Sequence, residues 1–319
     1  MEEENPNFRS GYVAVVGKPN VGKSTLVNAL IGRKVAITSN KPQTTRRRIL
    51  GILTRPDVQI LFVDTPGIHA AKQALNHYMM GEVDEALSDC DAILFVVDVS
   101  RSPDDDDRRV AERIAKLPQP KRMAMNKSDV LDPRNVVANV AAYEDLLSTA
   151  DDRQRTTDDA SASSILNSQF SILVSATRGD NLDKLLALLV DVMPLGPQYF
   201  PDDQSTDQTE RMLAAEFIRE QALRHLEQEI PHGIAVAIEE WQPRENGVIY
   251  IGATIYVERA SQKGILIGKG GDMLKKIGAG ARKEIQREVN TKVFLELWVK
   301  VREGWRKDDV LVRRFLEGS

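Results

Sequence analysis

Gly17-Lys18-Pro19-Asn20-Val21-Gly22-Lys23-Ser24 places glycines, a lysine and a hydroxyl at the spacing that lets a backbone wrap a phosphate. Gly17 and Gly22 allow the chain to curl so that successive N–H groups point inward at phosphate oxygens. Lys23 then reaches the β/γ oxygens, and Ser24 supplies an oxygen to Mg²⁺. The apolar run Tyr12 to Val16 precedes the loop and a helical pattern from Thr25 to Leu30 follows it, so the motif lies in the strand-to-helix setting it needs.

A phosphate loop does not choose its base; other residues must. Asn126-Lys127-Ser128-Asp129 follows an apolar run. The Asp129 carboxylate matches the paired N1 and N2 donors of guanine, whereas adenine would leave it unpaired in the site. Asn126 is expected to tie loops together, and the Lys127 stem to lie over the base. The same residues could merely cap a helix, but their distance after a phosphate loop favours base reading. Ser175-Ala176-Thr177, after a further apolar run, offers a backbone N–H for guanine O6.

Asp64-Thr65-Pro66-Gly67 ends another apolar run. Asp64 is expected to hold Mg²⁺ through water, and the Gly67 N–H to meet the γ-phosphate and relax when it leaves. These four motifs resemble the translation-factor-related class of small GTPases. That resemblance implies a threonine completing the Mg²⁺ shell; Thr44 and Thr45 both qualify, with Thr45 preferred. It implies Lys23, Thr45 and Gly67 as the catalytic set. Ras-type enzymes carry a glutamine where Ile68 stands, and isoleucine cannot orient water, so slow intrinsic hydrolysis is expected. Related GTPases with an apolar residue there and an asparagine at the place of Asn20 use K⁺, which makes Asn20 a candidate K⁺ ligand.

The elements that must position these residues alternate. Gln59–Val63, Ala92–Val97, Arg122–Met125 and Ser171–Val174 read as strands, and Gln73–Leu87, Arg108–Leu117, Val136–Leu147 and Leu182–Met193 as helices. Alternation predicts an α/β Ras-like domain with a mainly parallel sheet over residues 1–193. Residues 148–168, rich in Ser, Thr, Asp and Ala, read as a flexible insertion, and the proline-rich stretch 194–208 as a linker. From 209 to 319 the order becomes helix, two strands, two helices and a strand, an α+β unit.

In that unit Gly268-Lys269-Gly270-Gly271 precedes a helix. Without Cβ atoms such a loop approaches a single-stranded nucleic-acid backbone closely, as in KH domains, and the helix presents its positive end. Lys263, Lys269, Lys275, Lys276 and Arg282 would supply charge for phosphates, with Lys283 and Arg287 beyond them. Ile265, Ile267, Leu274 and Ile277 are candidate groove residues, at least half of them expected in the core. The element order is that of the type II KH fold.

A GTPase domain followed by this KH unit resembles the Era family of bacterial GTPases, as do Asp64-Thr65-Pro66-Gly67-Ile68-His69, Ala74-Leu75-Asn76, Leu94 to Asp98 and Leu295 to Val301. The resemblance implies a GTP/GDP switch that binds the 3′ end of 16S rRNA and assists 16S rRNA processing and maturation of the 30S subunit. It also implies a monomer in the cytoplasm with peripheral contact at the inner membrane.

Composition agrees with these classes. The chain has 319 residues, 42% hydrophobic and 28% charged, enough for two cores. Its net charge of −4 hides an asymmetry: from residue 260 onward 14 Lys/Arg face 8 Asp/Glu. The last part can therefore meet a polyanion. Arg306, Lys307, Arg313 and Arg314 could touch anionic lipid, though a solvated helix face is the plainer reading. Cys90 is the single cysteine, which excludes an internal disulfide and suits a reducing compartment. An RNA-modifying GTPase and a membrane-associated regulatory GTPase are the rival readings; the first is disfavoured because no folate-like module precedes the GTPase motifs and Cys90 lies inside the GTPase pattern.

Overall fold

Apolar runs too short for helices and bounded by turn residues become the strands of a central sheet. The computed structural model describes residues 6–68, 73–147, 170–227 and 230–317. The expected insertion at 148–168 lies outside them. Two compact units emerge, the first from residues 1–36, 48–69 and 81–207, the second from 37–47, 70–80 and 208–319.

In the first unit the strands are β1 (Arg9–Val16), β2 (Ile49–Arg55), β3 (Val58–Asp64), β4 (Ala92–Asp98), β5 (Lys121–Asn126) and β6 (Ser171–Leu173). The sheet order is β2-β3-β1-β4-β5-β6, with β2 antiparallel to β3 and every other pair parallel. All residues of β3 and β4 are buried, as expected of strands covered on both faces. Helices α1 (Lys23–Ile31), α3 (Asp105–Ala115), α4 (Val136–Leu147) and α5 (Leu182–Val190) belong to this unit. Helix α2 (Ala74–Ser88) passes from the second unit's share into the first's at Gly81. Register sets Val15 beside Asp64 and Asp98 beside Asn126, so the carboxyl ends of the parallel strands carry the candidate residues.

The stretch expected to be a linker is built into this unit up to residue 207. Ser10 N–H donates to Pro194 O and Ile52 N–H to Ser205 O, while Thr206 hydroxyl donates to Leu50 O. The buried Gln59 amide satisfies both of its ends here, accepting from Tyr199 and Phe200 N–H and donating to Phe200 O and Thr54.

The second unit follows helix α6 (Glu210–His225), strands β7 (Ala235–Pro243) and β8 (Ile249–Val257), helices α7 (Ala260–Ile267) and α8 (Asp272–Glu288), strand β9 (Val293–Val301) and helix α9 (Asp309–Glu317). β8 is antiparallel to β7 and parallel to β9. Phe217, Ile218, Ile251, Ile255, Ile277 and Ile285 form its core. Helix α8 approaches α6 closely at Gly280, where a Cβ would sit 2.3 Å from Gln221 Oε1 and the Gln221 side chain would have to shift.

Residues 37–47 are integral to this unit. Ile37 lies in its core, Thr38 N–H donates to the buried Glu220 carboxylate, and Arg219 donates to Thr44 O. Arg46 is 3% exposed and donates to the carbonyls of Ile234, His232 and Pro231, its guanidinium over the Trp305 ring. Leu75 and Met79 pack with Trp305 and Val312 in a second cluster.

Candidate functional site

The phosphate loop leaves β1 at Val16 and enters α1 at Lys23. Gly22 has φ +96° and a Cβ there would stand 2.4 Å from Asn126 Nδ2; at Gly17 it would stand 2.3 Å from Val96 O. The loop is therefore closed to any other residue at both positions. Asn20 also lies in the left-handed region, at φ 65°.

Lys23 is buried, and its Nζ donates to Gly17 O at 3.0 Å and Lys18 O at 3.1 Å, spanning its own loop. Burial lowers its pKa to about 8, with Asp64 opposing the shift. Ser24 hydroxyl donates to Asp64 Oδ2 at 2.5 Å. A hydroxyl beside a buried carboxylate at the mouth of the loop is a hard-oxygen donor pair that fits Mg²⁺. Thr65 hydroxyl donates to Val15 O, and Ile68 N–H donates to Gly17 O at 3.3 Å. A Cβ on Gly67 would stand 2.7 Å from Pro19 N, so the segment after Asp64 lies directly against the phosphate loop. Ile68 is buried.

The base-reading residues converge on Asn126. Its buried amide donates to Val21 O at 2.9 Å and accepts from Ala176 N–H at 3.0 Å, joining three motifs. Asp129 is held by Ser175 hydroxyl at 2.8 Å and Thr177 hydroxyl at 3.4 Å; the Ser175 bond is the main cause that keeps its carboxyl below the usual range. The Ser175 N–H goes to Asp180 O, so its contribution here is the hydroxyl. Lys127 pairs with Asp98 at 2.6 Å. Thr25, the third residue of α1, directly follows Ser24.

Motif spacing carries no sign of Lys18's partners, Asp104 and Asp107, each 2.6 Å from its Nζ. Four consecutive aspartates after Pro103 do signal a helix start, and α3 begins there, three residues before the expected Arg108. Thr44 and Thr45 stand in the second unit, where Thr44 hydroxyl donates to Lys41 O and Thr45 is buried.

In the second unit Gly268, Gly270 and Gly271 all have positive φ, and α8 starts at Asp272. A Cβ on Gly268 would sit 2.8 Å from Met273 Cβ. Lys269, Lys275, Lys276 and Arg282 are exposed and Lys263 half-buried; Lys275 Nζ lies 3.5 Å from Gly270 O. Of the groove candidates Ile277 is core, Ile267 and Leu274 are half-buried, and Ile265 is 52% exposed.

Comparison with known proteins places this geometry. A family model described as 50S ribosome-binding GTPase matches residues 12–127, and one described as KH domain matches residues 229–306. GTPase Era of Ruminiclostridium cellulolyticum is 41% identical over 96% of this chain and 97% of its own. GTPase Era of Halothermothrix orenii is 44% identical over 97% and 98%. A crystal structure of Era in complex with MgGDPNP and nucleotides 1506–1542 of 16S ribosomal RNA aligns with TM-score 0.85 at 38% identity, covering 97% of this chain and 98% of that one. A point variant of Aquifex aeolicus Era bound to GDP·AlF₄⁻ aligns with TM-score 0.85 at 37% identity, covering 97% and 99%. The chain belongs to the Era family of GTPases.

Proposed function

We propose that the protein is a slowly hydrolysing GTP switch whose KH unit binds the 3′ end of 16S rRNA and assists 16S rRNA processing and 30S subunit maturation. The observation that carries the reading is the Gly268–Gly271 loop: left-handed glycines open a helix N-terminus ringed by exposed lysines, in a chain whose solved relative holds a 16S rRNA fragment. Lys269, Lys275, Lys276, Arg282 and Lys263 meet phosphates, while exposed Ile265 offers an apolar contact for a base.

At the nucleotide site Lys23 meets phosphate oxygens, and the N–H groups of residues 17–25, all but that of Pro19, which has none, surround the phosphates. Asp129 accepts from guanine and Asn126 keeps its loop in place. Ser24 and Asp64 would hold Mg²⁺, which would supply positive charge against the β- and γ-phosphates. Ile68 brings no water-orienting group, so hydrolysis is slow, and Asn20 would hold a K⁺ ion that would supply the compensating positive charge. The protein works as a monomer in the cytoplasm, where 16S rRNA matures, with peripheral contact at the inner membrane through its C-terminal basic residues.

The test is crosslinking of purified protein, loaded with GDP or a non-hydrolysable GTP analogue, to total cellular RNA. Enrichment of the 16S rRNA 3′ end is expected, lost in the Lys269→Asp, Gly270→Asp double variant. Intact GTP binding without that enrichment would refute the RNA assignment, and equal enrichment with both nucleotides would refute the switch.

A further inference from the structure

Lys18 belongs to the phosphate loop, yet its side chain is spent elsewhere. Its Nζ lies 2.6 Å from both Asp104 Oδ2 and Asp107 Oδ2, at the first turn of α3. Those carboxylates are themselves fixed: Asp104 Oδ1 accepts the N–H groups of Asp106 and Asp107, and Asp107 Oδ2 accepts the N–H of Asp104, each at 3.1 Å. This reciprocal cap lies wholly within α3 and its N-cap and needs no lysine. Lys18 therefore docks onto a preformed receptor.

The Asp107 arm of the receptor is buried and continues inward, while the Asp104 side chain is 58% exposed. The Asp107 side chain is fully buried and that of Lys18 is 14% exposed. Tyr143 of α4 places its hydroxyl 3.3 Å from Asp107 Oδ2 and 3.1 Å from Asp98 O. Asp98 Oδ2 in turn holds Lys127 of the base-reading loop at 2.6 Å. At the other end, Lys18 O accepts from Lys23 Nζ at 3.1 Å. A chain of contacts thus runs from the phosphate loop through α3 and α4 to the loop that reads the base.

We infer that Lys18 is a positioning residue for nucleotide binding: anchored on Asp104 and Asp107, it holds the curl of the phosphate loop and does not itself touch phosphate. Swinging Lys18 to a phosphate would leave the buried Asp107 carboxylate without its cation. An uncompensated buried charge costs more than a contact at an open site returns. Both acids also hold Lys18 through charge-assisted bonds whose geometry the helix cap sets in advance. The inference rests on guanine nucleotide occupying this loop, which binding by the unaltered protein checks separately.

The experiment is titration of a fluorescent GDP analogue into the full-length protein and into Lys18→Met, Lys18→Arg, Asp104→Asn and the double variant Lys18→Met/Asp107→Asn. Each is also melted without nucleotide. Failure of the unaltered protein to bind would overturn the nucleotide reading itself and leave the role of Lys18 without a ligand to serve. Lys18→Met and Asp104→Asn are each expected to raise Kd about tenfold, the loss of one good polar contact. Lys18→Arg should stay within about threefold of the unaltered protein. The double variant buries no unpaired charge, so it folds, and its Kd should be no worse than that of Lys18→Met, as for two ends of one interaction. If Lys18 were a phosphate ligand, Asp104→Asn would release it and leave binding unchanged or tighter while Lys18→Met weakened it. That opposition of sign would overturn the inference. So would losses in the double variant that multiply, or a lowered melting temperature with Kd unchanged.

Discussion

The buried ammonium of Lys23 makes nucleotide binding a proton-coupled event. Burial among protein atoms lowers its pKa to about 8, well under the ordinary lysine value. A bound polyphosphate restores the charged form, so the bound lysine stays protonated throughout the mild alkaline range. The sign follows directly: the free protein loses the proton as pH rises through about 8, and binding must take it back. With the free pKa at about 8 and the bound one far above, Kd should rise about threefold from pH 7.5 to 8.5, and binding should take up about half a proton at pH 8. This window lies below the titration of guanine's own N1 proton. The assay is calorimetric titration with GDP in two buffers of different ionisation enthalpy, whose difference in observed heat counts the protons. The nucleotide-free fold should also gain stability as pH rises from about 8 toward 10, because only the unfolded chain then keeps the proton. A Kd that is flat across the window, with no buffer dependence of the heat, would refute the placement of Lys23 in a desolvated cradle.

Asp129→Asn should weaken GDP binding at least about a hundredfold and admit xanthosine diphosphate, whose 2-oxo group accepts from the new amide; competition between the two nucleotides checks this. Gly22→Ala forces a Cβ to within 2.4 Å of Asn126 Nδ2 at a left-handed φ. The strain should cost about 1–3 kcal/mol in a thermal or urea melt and abolish nucleotide binding. Single-turnover GTP hydrolysis should be faster in KCl than in NaCl if Asn20 holds K⁺; equal rates with nucleotide binding intact would remove that ion from the mechanism.

Motif spacing is enough to name residues that the fold gathers, because a phosphate loop and its base readers sit at strand ends and a strand is a short apolar run. The hydrogen bonds of Asn126 to Val21 and Ala176 link three such motifs. Strand β2 escapes that reading: Ile49–Arg55 contains Gly51 and shows no alternation, and its place at the sheet edge comes from the turn into β3. The proline-rich stretch after 194 suggests a tether because local composition says nothing of Gln59, whose amide holds it from a distant strand. For the same reason residues 37–47 look like part of the GTPase. Their attachment rests on Arg46 meeting carbonyls of residues 231–234, contacts that leave no periodic trace.

That attachment makes the second unit discontinuous along the chain, with consequences for the order in which the protein is made. Residues 37–47 and 70–80 leave the ribosome with the first unit, long before residue 208. Until the carbonyls of Pro231, His232 and Ile234 arrive, Arg46 must keep its charge in water. The second unit therefore closes last, over long sequence separation, which makes it the slow step of folding. Cutting the gene at residue 208 would not yield this unit but a remnant lacking Ile37, Arg46, Leu75 and Met79, with the Trp305 ring uncovered.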